Sequence, residues 1–191
     1  MNDFKLYFET GWTHIISADA IDHILFIIAL AAIYSLNHLK QVLILVTAFT
    51  IGHSLTLALS VNNIISFNSV WVEFLIPATI VITASFNILS KKNIHYAVNY
   101  ILALLFGLIH GMGFASTIKF MLAKDQSIAL PLLSFNLGIE AGQIVLVAII
   151  LLLQFIFVQK IRIKEKVWIK TVSFIPLIWG TWMAIERFPL N

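Results

Sequence analysis

Six apolar stretches, each close to or above twenty residues and separated by short polar breaks, limit what this chain can fold into. They cover about 12–36, 41–61, 70–90, 95–118, 129–158 and 167–186. A helix needs about 20 apolar residues to cross the hydrocarbon layer of a bilayer. The pattern therefore predicts an all-α fold, a polytopic membrane protein built as a bundle of six transmembrane helices. The fifth stretch is long enough to tilt or to run past the membrane. Of the 191 residues, 60% are hydrophobic and 11% charged, against about 25% charged in soluble domains. Connections are short and no linker, repeat or low-complexity tract interrupts them, so residues 1–191 read as a single transmembrane domain.

The basic residues set an orientation, because cytoplasmic loops carry the excess of Lys and Arg. The loops after the first, third and fifth stretches, with their flanks, hold Lys40, Lys91, Lys92, Lys160, Arg162, Lys164, Lys166 and Lys170. The other side holds Lys5, Lys119, Lys124 and Arg187. Both termini are expected outside a bacterial-type inner (plasma) membrane. Aromatic residues agree, with Trp12, Trp71, Trp179 and Trp182 near the outer boundary and Tyr34, Tyr96 and Trp168 near the inner one. The start lacks the basic-then-apolar order of a cleavable signal, so the N-terminus reads as mature. With no cysteine, disulfides and thiolate metal sites are excluded. The net charge of +3 is spread over loops, which argues against nucleic acid as a partner.

Against this apolar background the ionisable residues inside the spans stand out. Each costs roughly 2.5–3.5 kcal/mol to insert, so each calls for a partner or a task. Asp22 and His23 lie in the first stretch, His53 in the second, His110 in the fourth and Glu140 in the fifth. Counting from the outer ends, each falls about nine or ten residues in, or roughly 14 Å of helix rise. Carboxylate oxygen and imidazole nitrogen at one level suit a divalent first-row metal. We therefore take Asp22, His23, His53, His110 and Glu140 as candidate ligands, Glu140 doubling as a candidate proton carrier. In Asp19-x-x-Asp22-His23 the spacing puts three side chains on one helical face, although Asp19 also suits a helix cap or the outer water. His14 is a candidate ligand at the mouth of the site. Asn136, Gln143 and Ser54 are candidates for a supporting shell, or for ordinary packing between transmembrane helices. Thr79, Thr83 and Asn87 recur every four residues toward the inner side and mark a candidate route inward.

Four motifs carry a resemblance to a known family. They are Asp22-His-Ile-Leu-Phe26, Phe49-Thr-Ile-Gly-His-Ser-Leu-Thr-Leu57, Phe106-Gly-Leu-Ile-His-Gly-Met-Gly-Phe-Ala115 and Phe135-Asn-Leu-Gly-Ile-Glu-Ala-Gly-Gln143. In this order, over nearly the whole chain, they resemble the HupE/UreJ proteins, accessory membrane proteins associated with nickel hydrogenases and ureases. The resemblance implies nickel or cobalt uptake, with Asp22 and His23 as ligands and hydrogenase or urease maturation proteins as partners. Ala20 stands where the family usually has glycine, and His14 lies further upstream than the family's histidine.

Two functional readings follow. One is a permease, facilitator or accessory protein for Ni²⁺ or Co²⁺, whose mixed N/O site binds loosely enough to release its cargo. The alternative is an intramembrane zinc-dependent hydrolase acting on a lipid or acylated substrate. Three histidines would then hold Zn²⁺, and Asp22 or Glu140 would be the general base.

Overall fold

The computed structural model describes residues 3–89, 96–121 and 128–190, and all its regular elements are helical. They are α1 (Asp3–Ile16), α2 (Ile21–Ala31), α3 (Leu39–Val61), α4 (Ser69–Leu89), α5 (Tyr96–Met121), α6 (Ala129–Gln154) and α7 (Glu165–Glu186). Short 3-10 turns lie at Ala18–Ala20 and Leu36–His38, and a π-helical segment, Phe155–Lys160, prolongs α6. Five helices are long and apolar enough to cross a membrane, and α1 with α2, bent by 59°, passes the same test as a pair, which makes six if the pair is one broken span rather than a re-entrant loop. The protein is a multi-pass helical membrane bundle. Lys91, Lys92, His95 and Lys124 lie outside the described residues.

The first span departs from the continuous helix expected at 12–36. It begins at Asp3 and breaks after Ile16. Ser17 takes an extended conformation (φ −73°, ψ 157°), and the next three residues make a 3-10 turn before α2 starts. Ser and Asp compete with the helix by favouring local turns, and Ser17-Ala-Asp-Ala supplies both within four residues. Asp19 is exposed in this turn, ahead of the helix that carries Asp22 and His23. The long fifth stretch behaves as expected, running as helix from Ala129 to Lys160, with Pro131 in its first turn, where a missing N–H costs little.

Glycines decide which helices pair. Lipid tails are as apolar as leucine, so helices associate through close backbone packing. A Cβ built on Gly52 would lie 2.2 Å from the Leu104 carbonyl oxygen, and one on Gly107 would lie 2.1 Å from that of Phe49. These two contacts lock α3 to α5. The same reciprocity locks α1 to α6: Gly11 meets the Phe135 carbonyl at 2.0 Å and Gly138 that of Phe8 at 2.1 Å. Both couples run parallel. In the third couple α7 runs antiparallel to α4, with Gly180 against Ile80. α2 fills the space among α4, α6 and α7. Phe26, Leu45, Phe49, Phe135 and Ile139 are fully buried at the centre, while Ile51, Leu55, Ile101, Ile178 and Trp182 face outward. Asn63, at φ 57°, closes α3: its N–H bonds the Ser60 carbonyl and that of Ile64 bonds Leu59, the Schellman pattern.

Candidate metal centre

The break in the first span has a chemical result. The 59° bend brings His14, near the end of α1, against His23 in the first turn of α2, with ring centroids 4.7 Å apart. His53 of α3 completes a group in which one ligand atom from each histidine lies within 4.8 Å of the others. His110 of α5 sits beside His23, centroid to centroid 5.0 Å, and outside that tight trio. His14 is half-buried; His23, His53 and His110 are 4%, 0% and 0% exposed.

The hydrogen bonds show which nitrogens are free. Asp22 Oδ1 accepts from the His23 backbone N–H at 2.8 Å and pairs with its ring Nδ1 at 2.9 Å. A proton held on Nδ1 in this way leaves Nε2 as a lone pair, the arrangement that orients metal-ligating histidines. The Thr79 hydroxyl donates to the Ile76 carbonyl at 2.7 Å and lies 3.0 Å from His110 Nε2. With its own proton spent, Thr79 accepts from Nε2–H, and His110 Nδ1 is bare. Nε2 of His14 and of His23, both ring nitrogens of His53 and Nδ1 of His110 are all buried without a hydrogen-bond partner. Native structures rarely leave buried polar atoms unpaired, and a cluster of them calls for an explanation. Bare imidazole nitrogens converging in one place fit a divalent metal ion.

The second carboxylate oxygen of Asp22 lies 3.9 Å from Nη1 of Arg187, just past the end of α7. Sequence reasoning used Arg187 only as an outer positive charge. It also gave no role to the aromatic shell around the imidazoles. Phe114 packs on His14 at 4.1 Å and stacks on Phe135, which reaches His53 at 6.4 Å. Phe26 and Phe49 lie 5.1 and 5.2 Å from His110. A signal was present, since Phe49 is four residues before His53, Phe114 four after His110 and Phe26 three after His23.

Other candidates fall further away. Glu140 is not drawn into the trio. On α6 it is Phe135 that reaches the level of His53; Glu140, five residues on, accepts a 2.6 Å hydrogen bond from Thr47, six residues before His53. Thr47 lies about 9 Å of helix rise from His53, and Glu140 is outside the trio. Gln143 Oε1 accepts from Thr50 at 2.8 Å, Ser54 donates to the Thr50 carbonyl, and Asn136 donates to Leu132. Of the inner stripe, Thr79 touches the site through His110. Asn87 bonds the Ala29 carbonyl and Ser173, tying α4 to α2 and α7.

No curated protein and no solved structure matches the chain. A family model described as HupE / UreJ protein matches residues 1–187, and on that match over nearly its whole length the chain belongs to the HupE/UreJ family.

Proposed function

We propose that the protein is a permease or facilitator for a divalent transition metal, nickel or cobalt, in a bacterial-type inner membrane with both termini outside. The observation that carries this reading is the convergence of His14, His23 and His53, with His110 beside them, in the buried interior of a helical bundle. His14, His23 and His53 would hold the ion, Asp22 would orient His23, and His110 would stand by as a fourth nitrogen. Neutral nitrogen donors without thiolate bind first-row ions reversibly, as cargo requires. Family membership supports a link to hydrogenase or urease maturation. The zinc-hydrolase reading has less support. Asp22 is engaged with His23 and faces Arg187, and Glu140 bonds Thr47, so neither carboxylate stands free beside the trio to act as general base.

Purified protein in liposomes carrying a metal-sensitive dye tests the proposal. Ni²⁺ or Co²⁺ should enter faster than into empty liposomes, and His14→Ala or His53→Ala should abolish the difference. Entry equal to that of empty liposomes, with hydrolysis of a lipid or acyl ester in the presence of Zn²⁺, would favour the enzyme instead.

A further inference from the structure

Among the described residues Arg187 alone sets a permanent positive charge beside the carboxylate of the metal centre. It follows α7 directly as its C-cap, with φ −96° and ψ 19°. Its backbone N–H still bonds the Met183 carbonyl at 3.0 Å, and that of Phe188 bonds the Ile185 carbonyl at 3.3 Å. The Phe188 ring then meets Phe74 of α4 edge to face, with centroids 5.3 Å apart. The helix dipole favours a cation at a helix C-terminus wherever its side chain goes. This one reaches across to α2, where Nη1 lies 3.9 Å from Asp22 Oδ2; the Arg187 side chain is 33% exposed and that of Asp22 17%. No other acid among the described residues forms an ion pair with Arg187. Asp22 thus divides its two oxygens, Oδ1 to His23 and Oδ2 toward the guanidinium.

We propose that Arg187 sets the affinity of the metal centre: its charge offsets that of Asp22 and weakens the grip on a divalent cation. The inference deepens the metal-cargo reading and rests on it. Two effects share one sign. Asp22 and Arg187 sum to zero charge and neutral imidazoles add none, so an arriving ion meets no net negative charge, and the guanidinium itself repels it. Such repulsion is strong where bulk water is excluded. The second effect runs through His23. A carboxylate bonded to the far nitrogen of a ligating imidazole makes that imidazole a better ligand. A guanidinium drawing on the same carboxylate makes it a poorer one. The pairing also stabilises the empty centre, since Asp22 without Arg187 would be an uncompensated charge within the bundle. Weak binding suits passage, because an ion held too tightly does not leave.

The test is Co²⁺ titration of the protein in nanodiscs, with dissociation into a chelator and thermal unfolding measured in parallel. Arg187→Gln and Arg187→Met, both neutral, should bind Co²⁺ about tenfold or more tightly than wild type, through slower dissociation. Arg187→Lys keeps the charge and should raise affinity less. Lys5→Gln removes the same charge at an exposed position and should leave affinity unchanged. Without metal, Arg187→Gln should unfold at a lower temperature than wild type and gain more from added Co²⁺. A merely structural contact would lower stability and affinity together. Unchanged or weaker Co²⁺ binding by both neutral variants overturns the proposal, as does an equal gain from Arg187→Lys or Lys5→Gln. The two readings fail separately. Co²⁺ that binds but enters liposomes no faster defeats the cargo reading alone, whereas absence of Co²⁺ binding by wild type and variants defeats both.

Discussion

Gly138→Ala should damage a metal centre that it does not touch. The added Cβ would stand 2.1 Å from the Phe8 carbonyl oxygen and 2.8 Å from the Trp12 nitrogen, both backbone atoms of α1. Neither can rotate away. Ordinary contact begins near 3.4 Å, so α1 must withdraw from α6 by about 1.3 Å before the overlap is relieved. His14 rides on α1 two residues beyond Trp12, and its ligand atom now lies within 4.8 Å of those of His23 and His53. Metal–ligand distances tolerate only about 0.2 Å, so the displacement removes one of three nitrogens. We expect a stability loss of about 1–3 kcal/mol, the usual cost of overpacking, and Co²⁺ affinity reduced by at least tenfold. Gly113→Ala is the control, because its Cβ would meet the movable Cδ1 of Ile76 at 2.8 Å. Thermal unfolding in detergent and isothermal titration with Co²⁺ measure the two effects. Wild-type affinity in Gly138→Ala, or equal damage from Gly113→Ala, would refute the argument that the α1–α6 contact sets the position of His14.

Asp22→Asn keeps the size of the side chain but removes the charge that holds the His23 proton on Nδ1; metal affinity should fall by roughly 10–100-fold, measured by the same titration. Acidification should weaken Co²⁺ and Ni²⁺ binding, because protons compete with metal for the same imidazole nitrogens; affinity that never falls before acid unfolding would count against histidine ligands. A cysteine placed at Lys5 should react with an impermeant maleimide from outside intact cells and one at Lys164 should not; the reverse pattern would invert the membrane orientation.

The six spans were legible because length and apolarity decide them almost alone, and the structure keeps five of them within a few residues of the expected bounds. The imidazoles were legible for a related reason: His23, His53 and His110 are too polar for their surroundings to be filler. His14 was harder to place. Its role depends on the extended conformation of Ser17, and a count along a straight helix puts it too near the surface. Glu140 was counted to the same depth, and the structure leaves it outside the histidine trio. Rise per residue measures distance from a helix end, whereas the level at which two helices meet is set by where their glycines let them touch. On α6 it is Phe135 that lies against His53, while Glu140 bonds Thr47. The aromatic shell had no polar signature, and only its spacing from the histidines identifies it.

The glycine contacts divide the bundle into couples whose members cannot slide past one another without steric overlap. His14 belongs to the α1–α6 couple, His53 and His110 to the α3–α5 couple, and His23 to α2 between α4, α6 and α7. The histidine trio is therefore shared among couples whose members are held together by their glycine contacts and joined to one another by fewer contacts. A small rotation of one couple against another would lengthen the distance from His14 to His53 and leave that from His53 to His110 as it is. If the trio holds an ion as proposed, release by this route would need no unfolding and no change of rotamer: the grip would open when the couples part, and the imidazole pair on α3–α5 would stay assembled for the next ion.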